Sequence, residues 1–536
     1  MLTTTLKSKV ISFEEAVSNV PNGANVTIGG LISVLCPEKV VAELEKRYLS
    51  TGEPRDLTVI TPVRVGWSKT QSTGLEHVAN RGMLKRLISG SFNVKEGPRL
   101  TQMIRENEIE AYGFSMGTIF HWIRAMAAGE SGLVTKVGLH TYVDPRYDGG
   151  RLNENTKENL SKVIEINGEE NLFYPSIPIN VAIIRGSTAD ESGNITLENE
   201  PVTLSGLEMA MAAKASGGYV IAQVKRVVPN DTLKPHDVAI PGILVDAVVI
   251  DTDQKQSLLD EDDPSWTGEI KLPLEQVYKP LPLNSKKVIL RRAAKELKRG
   301  DVINLGVGIP VGLPQLALEE GFFNDVTFSL EHGAIGGVPM GEEVFGAHIN
   351  PTAIVSSPQV FDFYHYGGLS ATLLGFAQID RLGNVNVSMF NGVFRGSGGF
   401  IDIVHKTQKI MFCGTLTSGG LDVAIEQGKV NILNEGKHKK FIPEVEQLTF
   451  NAQMALKNKQ EILYLTERAV FRLEEQGITL IEYAPGVDIE RDILSHIDFK
   501  INISQQLREM DADIFNSKRE EGRVNGEMGN NKDDYM

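Results

Sequence analysis

Short apolar runs alternate with amphipathic runs along most of the chain, and this alternation carries the first structural information. Leu57–Thr61, Val181–Ile184, Tyr219–Gln223 and Ala247–Ile250 are rich in β-branched and apolar residues, the pattern of strands buried on both faces. Pro37–Tyr48 and Leu207–Ala215 carry apolar positions at helical spacing, and helices are predicted there. Strands alternating with helices imply an α/β fold built on largely parallel sheets. Residues 253–287 interrupt the pattern. They are polar, acidic and proline-containing, with little periodicity, and read as an interdomain linker. Residues 518–536 are charged and rich in Asn and Gly, the composition of a disordered tail.

The pattern is written twice. Asn22–Gly30 reads NGANVTIGG, with Pro37 opening a helix; Arg299–Pro310 reads RGDVINLGVGIP, with Pro314 doing the same. Gly23, Gly29 and Pro37 fall on Gly300, Gly306 and Pro314 at one constant offset. Ala189–Ile195 (ADESGNI) recurs in pattern as Ile379–Val385 (IDRLGNV) at a different offset, so the first half carries an insertion. Two homologous α/β/α domains are therefore expected, over 1–252 and 288–517, with a ligand cleft between them.

Composition narrows the function. A chain of 536 residues exceeds one compact core. Its net charge of −15 argues against nucleic acid, while leaving room for a local basic pocket. The two cysteines, Cys36 and Cys413, imply no disulfide framework and suit a reducing compartment. No signal-peptide core and no apolar run of 18 residues is present. A cytoplasmic protein with no membrane partner is expected.

Three glycine-rich loops and one carboxylate carry the candidate chemistry. Gly306-Val307-Gly308-Ile309-Pro310 follows the strand-like DVINL and lets backbone approach a ligand, although it lacks the dinucleotide-binding pattern. Glu331 ends the apolar run VTFSL and precedes three glycines within five residues, a position suited to attack on a substrate. Arg395–Asp402 contains Gly396, Gly398 and Gly399, whose N–H groups could face a developing oxyanion. His332, His348 and His365 fit no standard zinc spacing, and no metal is expected. Each loop alone also reads as an ordinary turn.

Taken together these motifs resemble the class I coenzyme A transferases, in the fused single-chain branch of acetate/propionate and 3-oxoacid enzymes. The resemblance includes Thr141–Arg146, Phe361–Tyr364, Thr466–Phe471 and Ala484–Asp488, and runs from about residue 10 to 515. Leu31 and Leu35 depart from the N-terminal signature, and His332 from the Ser-Glu-Asn-Gly of two-subunit relatives. The resemblance implies ping-pong transfer of CoA between short-chain carboxylates, with Glu331 as covalent nucleophile. It implies Gly396, Gly398 and Gly399 as oxyanion and substrate contacts. Gly306, Gly308, Ile309, Pro310, Gly29 and Gly30 would contact CoA, which is a substrate; no tightly bound cofactor is expected. A homo-oligomer, tetramer or dimer, is implied. Phe361, Phe363, Tyr364 and Tyr366 are candidate acyl-pocket walls, and Ser370 bears on acyl specificity. An acyl-CoA hydrolase, a non-catalytic ligand sensor and a sugar-phosphate isomerase of related architecture are the alternatives.

Overall fold

The structure is a computed structural model that describes residues 8–67, 72–92 and 97–516; the expected disordered tail lies outside the described residues. Seven parallel strands form the N-terminal sheet. Their order is Ala247–Ile250, Tyr219–Val224, Val181–Arg185, Asn25–Ile28, Leu57–Thr61, Leu84–Ser89, Glu110–Gly113. Ten strands form the C-terminal sheet. Its centre is parallel, in the order Thr327–Ser329, Val302–Leu305, Ala371–Gly375, Lys409–Cys413, Glu461–Leu465. Antiparallel pairings extend it at both edges, and Asn502–Glu509 closes one edge parallel to Gly477–Tyr483. The predicted helices occur as Glu38–Thr51 and Gly206–Ala215. Apolar strands covered by helices account for the continuous apolar runs, because both faces of a parallel sheet are buried.

The internal repeat is real at the level of atoms. Asp190 Oδ1 accepts from the amides of Ser192 (3.0 Å) and Asn194 (2.9 Å), and Asn194 Nδ2 donates to Asp190 Oδ2 (2.7 Å). Asp380 Oδ1 accepts from Leu382 (2.9 Å) and Asn384 (3.0 Å), and Asn384 Nδ2 donates to Asp380 Oδ2 (3.0 Å). Gly193 and Gly383 take φ of +85° and +88°, which only glycine adopts without strain. The shared Asp-x-x-Gly-Asn spacing is thus a turn closed by its own aspartate.

The carboxyl ends of the two sheets meet. After Leu84–Ser89 the chain presents Gly90 and Phe92 to the C-terminal half: Gly90 O accepts from Gly398 N (2.9 Å), and Phe92 N donates to Arg395 O (2.8 Å). Helix Met116–Ala127 starts at the same seam, where Met116 N donates to Gly398 O (2.9 Å). Asp402, fully buried, caps that helix from the other half, accepting from Gly117 N (2.9 Å) and from the Ser115 hydroxyl. A carboxylate here satisfies unpaired amides and complements the helix dipole. Arg124 and Asp362 add a bidentate pair across the seam (2.5 and 3.1 Å). Residues 253–287 are packed rather than loose: Leu258 N donates to Ser33 O (2.8 Å), Asn350 N donates to Ser265 O (3.0 Å), and Trp266 is buried.

Candidate active site

Glu331 stands at a corner that local sequence builds. Strand Thr327–Ser329 stops at a tight turn in which Gly333 N donates to Leu330 O and Leu330 N to Ala334 O (both 3.2 Å). The chain returns antiparallel through Ala334–Ile335. Gly333 is required there, since a methyl group at that position would lie 2.1 Å from Val355 O. The turn holds the Glu331 backbone at the strand end while its side chain folds inward, 7% exposed.

A polar network anchors one carboxylate oxygen. Asn304, on the neighbouring strand, donates from Nδ2 to Glu331 Oε2 at 3.0 Å. Its carbonyl oxygen accepts from the Thr372 hydroxyl (3.3 Å), which sets the amide's orientation. Ser329 Oγ and Tyr364 OH lie 2.8 Å apart and complete the cluster. The other oxygen faces Gly399: a methyl group there would lie 3.4 Å from Glu331 Oε1 and 3.2 Å from Met116 Cε. Glu331 thus looks into the seam between the halves. Among the described residues it has no ion pair. Burial pushes its pKa up to about 7, and the Asp402 charge adds to the rise, while hydrogen bonds from its own amide and from Asn304 oppose it. Desolvation thus brings its titration close to neutral pH, well above the ordinary carboxylate range.

The other expected residues separate into two groups. Gly306, Gly308, Ile309 and Pro310 lie at the next strand end, where Val307 is 54% exposed and nothing crowds Gly308. Gly399 lies against Glu331. Gly398 does not serve as an oxyanion donor, because its N–H is committed to Gly90 O. Gly396 packs on the same backbone, 2.5 Å separating a methyl there from Gly90 O, so it stitches the halves together. Gly29 and Gly30 are buried, and a methyl at Gly30 would lie 2.8 Å from Val65 Cγ1 and 3.2 Å from Cys36 Sγ. The loop expected to contact CoA in this half is thus a packed one.

The expected acyl walls also change. Phe361 is core, packed on Phe120 across the seam, and Tyr366 is 74% exposed. Tyr364 belongs to the Asn304 network. Ser370 accepts from Val302 N (3.1 Å) at the amino end of its strand, the edge away from Glu331. His332 and His348 are buried and held neutral, with pKa values pushed down to about 3 and about 4. His365 hydrogen-bonds Asp402 (3.1 Å). Among the described residues no cluster suits a metal ion, and Cys36 and Cys413 are separate free thiols. Asn304, Asp402 and Met116 were not singled out from sequence. A lone amide inside the apolar run DVINL was the one available signal, since a buried amide needs a partner.

The described chain has no helix long and apolar enough to cross a membrane. The coenzyme A transferase family model matches residues 10–251. The chain is 41% identical over 508 residues to acetate CoA-transferase YdiF of Escherichia coli (strain K12), covering 94% of this chain and 95% of the relative. It is 41% identical over 520 residues to caffeate CoA-transferase of Acetobacterium woodii, covering 95% and 98%. The crystal structure of the acyl-CoA transferase YdiF from E. coli O157:H7 in a thioester complex with CoA superposes with a TM-score of 0.90, at 39% identity, covering 96% of this chain and 97% of that one.

Proposed function

The chain belongs to the coenzyme A transferase family, and from that premise we propose that it moves CoA from a short-chain acyl-CoA to a carboxylate such as acetate through intermediates on Glu331. One observation carries the assignment to Glu331. Among the described residues it is a buried carboxylate without a counter-cation, anchored by one oxygen and turned toward a glycine at the seam.

Glu331 attacks the thioester carbonyl, giving an acyl-glutamyl anhydride and CoA thiolate. The thiolate attacks the glutamyl carbonyl, releases the first acid and leaves a glutamyl-CoA thioester. The acceptor carboxylate reverses both steps and departs as the new acyl-CoA. Asn304 holds Oε2 so that Oε1 is presented for bonding. The Gly399 amide is the proposed oxyanion donor, and Met116 supplies an apolar wall that keeps water from the anhydride. Poor hydration makes the ionised form of Glu331 more reactive and also explains its raised pKa. CoA is a substrate in this scheme, and no bound cofactor takes part. A cytoplasmic homo-oligomer completes the proposal.

Incubation with an acyl-CoA followed by borohydride should give a reduced residue 331 by mass analysis, and CoA release should depend on the acceptor acid. Normal transfer by Glu331→Ala, or release independent of acceptor, would overturn the reading.

A further inference from the structure

The strand ends carry one cation that the reaction scheme leaves unused. Lys440 closes a basic run, Lys437-His438-Lys439-Lys440, in a chain of net charge −15. Lys439 is tied to Asp498 (2.6 Å). Lys440 is different. Its ammonium stands 4.0 Å from the Phe376 ring centroid and passes over Gly414, where a methyl group would meet Nζ at 2.9 Å. Among the described residues it has no hydrogen bond and no ion pair. The carboxylate whose field it feels, Glu467, is already engaged by Arg468 Nε (2.6 Å) and Leu416 N (3.0 Å). Burial lowers the Lys440 pKa to about 8. A part-buried ammonium without an acceptor is unfavourable, and a bound anion relieves it.

Its position identifies the anion. Phe376 follows strand Ala371–Gly375, and Gly414 follows Lys409–Cys413. From the strand that ends at Glu331, Lys409–Cys413 is the third neighbour, through Val302–Leu305 and Ala371–Gly375. Three inter-strand steps of about 4.8 Å make ~14 Å. The route crosses the open Gly306–Pro310 loop, whose Val307 O lies 3.6 Å from a methyl built on Gly375. The pantetheine arm of CoA, from sulfur to the first phosphorus, matches roughly four extended residues in length, ~14 Å.

We propose that Lys440, backed by the Phe376 ring, receives the pyrophosphate of CoA, with the pantetheine arm laid along Gly306–Pro310 toward Glu331. The inference rests on the CoA-transfer reading and adds to it a phosphate subsite. Lys440 binds and orients substrate here and takes no part in bond making.

The test compares acyl-CoA, acyl-dephospho-CoA and acyl-pantetheine as donors for the parent enzyme, Lys440→Met and Lys440→Arg. Lys440→Met should raise KM for acyl-CoA and acyl-dephospho-CoA by about 10–100-fold, the size of a lost charged hydrogen bond. It should leave acyl-pantetheine and the acceptor acid unchanged, and leave Tm equal or higher. Lys440→Arg should recover part of the loss. Calorimetric binding of CoA should weaken in parallel in Lys440→Met. Equal loss with acyl-pantetheine, unchanged KM for acyl-CoA, or sensitivity that disappears with acyl-dephospho-CoA would overturn the assignment. Loss of the Glu331 adduct together with Lys440-dependent CoA binding would sink the transferase reading and leave the subsite standing.

Discussion

The two halves repeat one strand-and-loop design, yet only one keeps the loop open and armed. In the N-terminal half Thr27 pairs with Ile60, and two residues further on the chain reaches Pro62. In the C-terminal half Asn304 pairs with Ser329, and two residues further on it reaches Glu331. Threonine and proline thus stand where the other half has an amide and a carboxylate. The loops diverge likewise. Gly29, Gly30 and the following Leu31 are buried, whereas Val307 beside Gly306 and Gly308 is exposed. The N-terminal half has kept the scaffold and become a wall. It contributes Met116, and it receives Asp402 as the cap of its own helix. A duplicated fold therefore does not imply a duplicated site, because a strand end is a location and chemistry depends on the groups placed there.

The hardest test of this contrast removes the carboxylate. Glu331→Ala should lower turnover roughly 10⁴-fold or more, as expected when a nucleophile is deleted. The double variant Glu331→Ala with Pro62→Glu should not recover activity, since no Asn304 equivalent holds residue 62. A borohydride-trapped adduct at residue 62 would break the comparison.

Copying the N-terminal residue into the active half gives a smaller effect. Asn304→Thr should lower kcat/KM about 10²-fold, the scale of a misplaced reacting group. The parent kcat/KM should rise with pH along an acid limb near 7, because the reactive form of Glu331 is the ion. The Asn304 hydrogen bond lowers that pKa, so Asn304→Thr should move the limb to higher pH. A limb that stayed in place would remove Asn304 from the site.

Glycine-to-alanine changes should split by half. Gly399→Ala puts a methyl 3.3 Å from Glu331 Cγ and should cut kcat by about 10-fold with Tm nearly unchanged. Gly30→Ala puts one 2.8 Å from Val65 Cγ1 at a φ of +125° and should cost about 2 kcal/mol of stability. Activity per folded Gly30→Ala molecule should be normal. Equal kinetic losses in the two variants would show that both loops touch substrate.

The smallest effect concerns stability. The folded pKa of Glu331 is raised from 4.5 to about 7, so its protonated form is favoured by folding. The associated stability is complete below about pH 4.5 and is lost as pH rises through about 7, a change on the order of 3 kcal/mol. Glu331→Gln should abolish that slope. Its advantage in Tm over the parent should be absent at pH 4 and present at pH 8, by differential scanning calorimetry.

Much of this arrangement was legible beforehand in particular residues. The runs at Leu57–Thr61 and Ala247–Ile250 are strands with those bounds. Asp190 and Asp380 make the same turn, as their spacing suggested. Glu331 occupies the predicted strand end. Other features were not legible. Asn304 looks like any polar residue in a strand until the neighbouring strand brings Glu331 to 3.0 Å. Gly398 and Gly399 are indistinguishable in sequence, and they differ because Gly90, some 300 residues earlier, takes one amide.

Periodicity, glycine placement and self-closing turns act over a few residues, so the chain alone determined the strands, the duplicated halves and the corner that bears the carboxylate. Burial, electrostatics and hydrogen-bond pairing act through space. Which loop stays open, which amide remains for an oxyanion and how far the Glu331 pKa rises were decided only when the carboxyl ends of the two sheets met.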